Sequence, residues 1–233
     1  NPGTGKTEVA KLYGEILHRE GVLREGRLVV ISGSELSPGN VPKIFEAARG
    51  SVLFVDEAYT LIGYPETVTA LMAGMENNRE ETVVILAGYS RHMEQLLDTN
   101  PGFRSRIGFT MKFDDYTTEE LEQIFELMAK HVQALTDETR TCVRDKLSGA
   151  GRRGDQGNAR FVRKLFEDSL GAQQLRLAHL YANASDSLQL KHELGMLQGC
   201  DIVSLADSDA IAQFGEVFAG QTSKRDTCSQ SAQ

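Results

Sequence analysis

The sequence is short of the features that hold small secreted or membrane-bound proteins together. Only three cysteines occur among 233 residues, Cys142, Cys200 and Cys228, and no two are closely spaced. This argues against a disulfide framework and a zinc cluster, and for free thiols in a reducing compartment. Long apolar runs are also missing. The longest, Val83–Ala87 and Val52–Val55, are strand-sized, far below the ~20 residues of a membrane-spanning helix, so no membrane association is expected. Positive charge is not in excess: 25 Lys and Arg stand against 33 Asp and Glu, a formal net charge of −8. A broad nucleic-acid surface is therefore not expected, and "RRGDQGNAR" is the only basic cluster. No signal or transit pattern is visible. The expected compartment is the cytoplasm, with a plastid as the alternative.

What is present is an ordinary globular balance, 40% hydrophobic and 25% charged, long enough for one large domain or two small ones. Apolar periodicity predicts a helix over 7–20 with Val9, Leu12, Ile16 and Leu17 on one face. "RLVVIS" (27–32), "SVLFVDEA" (51–58), "ETVVILAGYS" (81–90) and "FTMKF" (109–113) read as strands. Helices are expected at 41–49, 66–78 and 91–98, and Asn100, Pro101 and Gly102 break the chain. Strands alternating with helices predict an α/β fold with a parallel sheet over 1–115. From residue 116 the pattern is helical. A helix opens on Thr117 or Thr118, a second spans 136–150 and a third 159–182, giving a small all-α second domain over 116–184. Residues 185–233 read as a weakly structured extension, with a short helix at 207–219 and a disordered tail.

Four segments carry chemistry. "PGTGKT" (2–7) is most of a phosphate-binding loop. Gly3 and Gly5 allow backbone amides to approach phosphate oxygens, Lys6 supplies positive charge, Thr7 offers a hydroxyl to Mg2+, and the following helix points its positive end at the anion. "VLFVDEA" delivers Asp56 and Glu57 at the C-terminal end of a buried strand, where α/β ligand sites lie. Asp56 suits Mg2+, and Glu57 suits polarising an attacking water. Together these two segments point to ATP or GTP hydrolysis. In "NPGFRSRI" (100–107), Arg104 and Arg106 are either surface arginines or an arginine finger that reaches a neighbouring subunit's nucleotide. In "GNARFVRK", Arg160 and Arg163 stand at the start of a second-domain helix, in a position that fits a nucleotide sensor.

The order of phosphate loop, Asp-Glu strand, "ILAGY", "NPGFRSRI" and helical segment with "NAR" resembles the AAA+ ATPases. More narrowly, "NPGTGKT", "VLFVDEAY", "MENNREETVVILAGY" and "NPGFRSRI" are similar to the family of the red-type Rubisco activase (CbbX or CfxQ) and stage V sporulation protein K. The close match covers about 1–115 and continues more loosely to about 180. The resemblance implies a P-loop NTPase sheet with helices on both faces, a helical lid, and a homo-oligomeric, hexameric ring with ATP and Mg2+ between subunits. It implies nucleotide binding by Asn1, Pro2, Gly3, Thr4, Gly5, Lys6, Thr7 and Glu8, with Thr7 and Asp56 on the metal. Asp56 and Glu57 become the Walker B pair, Ser90 the first sensor, Arg106 the preferred finger with Arg104 second, and Arg160 the second sensor. The implied activity is ATP-driven remodelling of a protein partner, as Rubisco activases do. A nucleotide-switched scaffold is the alternative.

The sequence also departs from this family. In the family a strand ahead of the loop runs through the middle of the sheet, and the adenine contacts lie on that side. The resemblance thus places both upstream of Asn1 and implies weak ATP binding by residues 1–233 alone. The stretch "SGSELSPGNVPKIFEAARG" lacks the aromatic step that grips a polypeptide in the ring's pore; Phe45, its first aromatic, reads as core. The segment after the Asp-Glu pair is also short, and Tyr64 beside Pro65 reads as a loop residue. Both departures count against threading and leave the hydrolysis residues untouched.

Overall fold

The computed structural model describes residues 1–130, 134–152, 157–183 and 196–202. They divide into two compact units, one reaching Asp114 and the other starting at Asp115. In the first unit, α1 (Lys6–Arg19), β1 (Leu28–Ser32), α2 (Val41–Ala47), β2 (Val52–Asp56), α3 (Pro65–Asn77), β3 (Val83–Leu86), α4 (Ser90–Asp98) and α5 (Pro101–Arg104) follow in order. Short 3-10 turns, Gly33–Glu35 and Ala58–Gly63, leave β1 and β2.

The sheet is parallel in the order β1-β2-β3, with Val30 opposite Phe54 and Phe54 opposite Ile85. The middle strand is buried on both faces, which accounts for its unbroken apolar run "VLFV". Because side chains alternate, Leu53 and Val55 pack with α2, α3 and α4 through Phe45, Leu71 and Leu96, while Phe54 faces Ala10 of α1. Helices thus cover both faces, as the sequence implies.

The first helix packs differently from its apolar pattern. It buries Ala10 and Gly14, whereas Leu12 and Ile16 are 56% and 53% exposed. Small residues win because the backbones approach closely: a Cβ on Gly14 would lie 3.2 Å from both the Gly26 carbonyl oxygen and Val52 Cγ2. These contacts also fix direction. Gly14 meets the start of β2 while Ala10 meets Phe54 and Ala87 near the strand ends, so α1 runs antiparallel to the strands.

The segment 109–113 is not a strand. It has the right composition but no partner ladder among the described residues, and Phe109 is 78% exposed. β-propensity expresses a fit to neighbouring strands, and the described residues place none alongside it. The expected chain break at 100–102 is a short capped helix instead: the Asn100 side chain accepts from the Gly102 N–H at 2.9 Å, Pro101 occupies the first turn, and Phe103 is fully buried.

In the second unit, α6 (Thr118–Ala129), α7 (Asp137–Arg152) and α8 (Ala159–Asn183) enclose Phe125, Val143, Leu147, Val162 and Leu165. Thr117 and Glu120 form a reciprocal capping box that starts α6. Residues 196–202, read from the sequence as part of a weakly structured extension, return to this core. β4 (Ala134–Leu135) and β5 (Met196–Leu197) make a two-residue parallel bridge, and the Thr139 hydroxyl donates to the Leu197 carbonyl at 2.9 Å. Arg176 holds the buried Asp201 through two bonds of 2.9 and 3.0 Å. The helix expected at 207–219 and the tail lie outside the described residues.

Gly74 of α3 separates two forces of opposite sign. Helix propensity alone favours Gly74→Ala by about 1 kcal/mol. The new Cβ, however, would lie 2.3 Å from the ring of the buried Phe45. We expect overpacking to win, so that Gly74→Ala lowers unfolding free energy by about 1–3 kcal/mol in urea titrations; an increase would overturn this packing account.

Candidate active site

Three loops gather at the C-terminal edge of the sheet. The antiparallel run of α1 brings its N-terminus to this edge. The loop before it uses two left-handed glycines, Gly3 at φ 71° and Gly5 at φ 86°. Gly5 caps the helix with no side-chain bond to the first-turn amides, which leaves those donors for an anion. Thr4 is buried and its hydroxyl donates to the Asn1 carbonyl at 3.0 Å. Lys6 Nζ folds over the same loop, 2.6 Å from the Asn1 carbonyl oxygen and 3.3 Å from Thr4 Oγ1. Thr7 is half-buried in the first turn, and Glu8 points outward in an ion pair with Lys11 at 3.0 Å.

The middle strand supplies the acids. Asp56 ends β2 half-buried, and its Oδ1 accepts the Glu57 N–H at 3.0 Å. Glu57 adopts a left-handed backbone, φ 50° and ψ 38°, a strained state for a residue with a side chain. Its surroundings hold it there. The next amide, of Ala58, donates to Ala87 at 2.9 Å, and the Glu57 carbonyl accepts from the Thr60 amide and hydroxyl, each at 2.9 Å. A Cβ on Gly33, at the exit of β1, would lie 2.8 Å from that carbonyl oxygen. Only a glycine fits so close to the turn.

The exit of β3 completes the edge. Gly88 and Tyr89 lead into α4, whose first residue is the exposed Ser90. Tyr59 reaches across from the β2 turn. Its hydroxyl donates to Glu57 Oε1 at 3.2 Å, and its ring lies 5.6 Å from Tyr89 and 5.2 Å from His92. Gly88 makes room, since a Cβ there would lie 2.7 Å from Tyr59 Cδ1. Tyr59 has no place in the sequence-based site. The signal available was a tyrosine two residues past the acid pair, facing a glycine in "AGYS".

The arginines sit elsewhere. Arg104 donates to Asp98 and Glu94, at 2.8 and 3.0 Å, at the far end of α4. That helix is nine residues long, so this end lies about 12 Å from Ser90 at 1.5 Å per residue. Arg106 donates to the Gly102 carbonyl at 2.9 Å and pairs with Glu76 at 3.5 Å. The structure thus gathers the phosphate loop, Asp56, Glu57 and Ser90 at one edge, and leaves both arginines exposed away from it. Arg160 is exposed in the first turn of α8, in the second unit. It follows Asn158, whose side chain donates to Asp115 at 2.7 Å and accepts the Tyr116 amide at 3.0 Å.

The residues suit a Mg2+–nucleoside triphosphate. Unfilled helix-start donors and an ammonium match phosphate, and a half-buried carboxylate and a half-buried threonine hydroxyl at the same sheet edge match a hard cation. Among the described residues no group of three or more acids, histidines or cysteines is placed to hold a metal, so a cation here would rest on one carboxylate, a hydroxyl and the phosphates themselves.

Comparisons with known proteins agree with this geometry. The family model for "ATPase family associated with various cellular activities (AAA)" matches residues 1–115, and an AAA lid domain model matches 117–212. Protein CbxX, chromosomal, of Cupriavidus necator is 35% identical over 88% of this chain and 68% of its own length. Protein CbbX of Cereibacter sphaeroides is 34% identical over 94% and 72%. The ESX-1 secretion system protein EccA1 of Mycobacterium tuberculosis is 36% identical over 77% of this chain but only 36% of its own. Among solved structures, one of katanin matches at TM-score 0.54 with 16% identity, covering 92% of this chain and 74% of that one. The ADP form of the Aeropyrum pernix ORC2 protein matches at 0.52 with 16% identity, covering 82% and 59%. At these identities the structures speak to the fold alone.

The Tyr59–Glu57 contact has a spectroscopic consequence. Burial, then the charge of Glu57 and the bond to it, push the Tyr59 phenol above its ordinary value of 10.0. The neutral phenol is therefore the form the fold favours. Its contribution to stability is complete below the ordinary phenol value and lost as pH rises through the folded one. In ultraviolet titration, the difference between wild type and Tyr59→Phe should ionise above pH 10. Glu57→Gln should lower that midpoint without restoring it fully, because burial is the larger cause; an unmoved midpoint would contradict the contact.

Proposed function

The chain belongs to the AAA ATPase family, as a relative of the CbbX and CfxQ proteins with an AAA module and an AAA lid, and from that premise we propose that it binds ATP with Mg2+ and hydrolyses it to remodel a protein partner. The observation that carries this reading is the convergence at one sheet edge of the Lys6 loop, Asp56 and the constrained Glu57. In the proposal, the loop amides and Lys6 hold the phosphates, and Asn1 to Glu8 form the binding segment. Thr7 and Asp56 hold the metal, which neutralises charge building on the γ-phosphate. Glu57 polarises the attacking water and Ser90 orients it. Arg160 contacts phosphate from the lid.

Both finger candidates are exposed, and neither bonds to the acid pair: Arg104 is held at the far end of α4 and Arg106 by Gly102 and Glu76. A contribution to hydrolysis is thus easiest to supply to a neighbouring copy, which favours a ring of like subunits. Arg106 is the better candidate on geometry, because Arg104 is held by two carboxylates of α4 and Arg106 by one carbonyl and a longer ion pair.

The scaffold alternative retains one observation. No aromatic lies between β1 and α2, and Phe45 is buried in the core. This leaves Tyr64, exposed at the start of α3 and five residues beyond Tyr59, as an exposed aromatic after the acid pair.

ATP turnover as a function of protein concentration tests the proposal. Glu57→Gln should lower kcat at least about 100-fold while ATP still binds, and Lys6→Ala should abolish binding. Arg106→Ala should lose turnover that an equimolar mixture with Glu57→Gln partly restores, since each mutant subunit supplies what its neighbour lacks. Wild-type turnover by Glu57→Gln would reject the hydrolytic reading, and assembly on ATP without turnover would favour the scaffold.

A further inference from the structure

In the proposed function a water sits between Glu57 and a phosphate, so the direction in which this exposed carboxylate points matters. Its backbone is fixed by the left-handed turn, but its side chain has three rotatable bonds and lies in the open. The turn alone does not aim a carboxylate.

Tyr59 does what the turn does not. Its hydroxyl donates to Oε1 of Glu57 at 3.2 Å. Oε2 accepts no hydrogen bond from the described residues. The phenol itself is fixed from three directions: Tyr89 at 5.6 Å, His92 at 5.2 Å, and the bare backbone of Gly88. Tyr89 and His92 contact each other edge-on at 6.0 Å and 80°. They flank Ser90 in sequence, so the same aromatic cluster that holds the phenol also forms the start of α4. Ring contacts of this kind restrict a half-exposed side chain beyond what burial alone does.

We propose that Tyr59 is a positioning residue for Glu57: the Tyr89–His92–Gly88 cluster fixes its ring, and its hydroxyl orients the carboxylate by occupying Oε1 and leaving Oε2 for the attacking water. This rests on the reading that Glu57 polarises water. It goes beyond that reading by assigning the geometry of the base to a residue that touches neither phosphate nor water. Removing the hydroxyl lets the carboxylate rotate, so fewer complexes have an oxygen aimed at the water. Nucleotide affinity depends on the Lys6 loop and is unaffected.

The test is steady-state ATP turnover by the full-length protein, wild type and three variants: Tyr59→Phe, Glu57→Gln and the double variant. Tyr59→Phe keeps the ring and all three of its contacts, so a purely structural role would leave turnover unchanged. We expect kcat to fall about tenfold with KM for ATP within about twofold of wild type, and the double variant to be no slower than Glu57→Gln alone. A wild-type kcat in Tyr59→Phe, when Glu57→Gln is inactive, overturns the positioning role and leaves the function of Glu57 standing. Equal multiplicative losses in the double variant also overturn it, because Tyr59 would then act independently of Glu57. Turnover by Glu57→Gln equal to wild type would remove the base and the positioning role together. Circular dichroism and the ultraviolet titration of the phenol confirm that each variant is folded and whether the contact exists, independently of turnover.

Discussion

The first unit depends on the parallel ladder that ties β2 to both neighbours. Every backbone group of a buried strand needs a partner, and Val52–Val55 lie buried with β1 on one side and β3 on the other. Because both faces are apolar, helices must cover both, and α1 does so on one face while α2, α3 and α4 do so on the other. The ladder also delivers chemistry. Asp56 is the last ladder residue, paired with Ser32, so the acid pair emerges where burial ends and solvent begins. The register that buries Phe54 and Val55 is the register that places the two carboxylates at the edge, and a slip of one residue would reverse every side chain.

Close approach of backbones explains the other main features. Gly14 lets α1 settle onto β2, Gly33 lets the exit of β1 touch the Glu57 turn, and Gly88 admits the Tyr59 ring. None of these three glycines adopts a left-handed backbone, so conformational freedom is not what they provide. They provide space. The cost falls on α1, whose larger apolar residues face outward while its small ones face the sheet. The second unit is built in another manner: its helices are started by side-chain caps at Thr117 and Thr136, and its C-terminal segment is held by the Arg176–Asp201 pair and by bonds from Thr139 and Gln173 to backbone carbonyls.

Where the sequence was legible, local and tertiary forces agreed. The run "VLFV" followed by two acids reads as a strand ending at a site because burial and chemistry change at the same residue. Thr117 followed by Glu120 reads as a helix start because the capping bonds are local. Legibility failed where the outcome depended on a distant partner. The segment 109–113 has strand composition, yet strands exist only beside other strands. The apolar stripe of α1 pointed the wrong way because the deciding contact was Gly14 against Val52, 38 positions apart. Arg176–Asp201 and the bridge at 196–197 escaped notice for the same reason. The candidate site shows both cases. Lys6, Asp56 and Glu57 carry their own motifs, whereas Tyr59 becomes meaningful only when β3 brings Gly88, Tyr89 and His92 alongside it.

This division has a mechanical meaning. The groups that would bind phosphate are tied together locally, since Lys6 and Thr4 both bond to the Asn1 carbonyl within six residues. The group that would act on water depends on all three strand exits at once. Gly33 backs its carbonyl, Ala87 accepts the amide that follows it, and the α4 cluster holds the tyrosine bonded to its carboxylate. A left-handed non-glycine residue costs about 1–3 kcal/mol and persists only when its surroundings over-determine it, as they do at Glu57. In the proposed reading, phosphate binding and the aim of the carboxylate therefore rest on different bonds of the unit, the Asn1 carbonyl for one and the Tyr59 hydroxyl for the other.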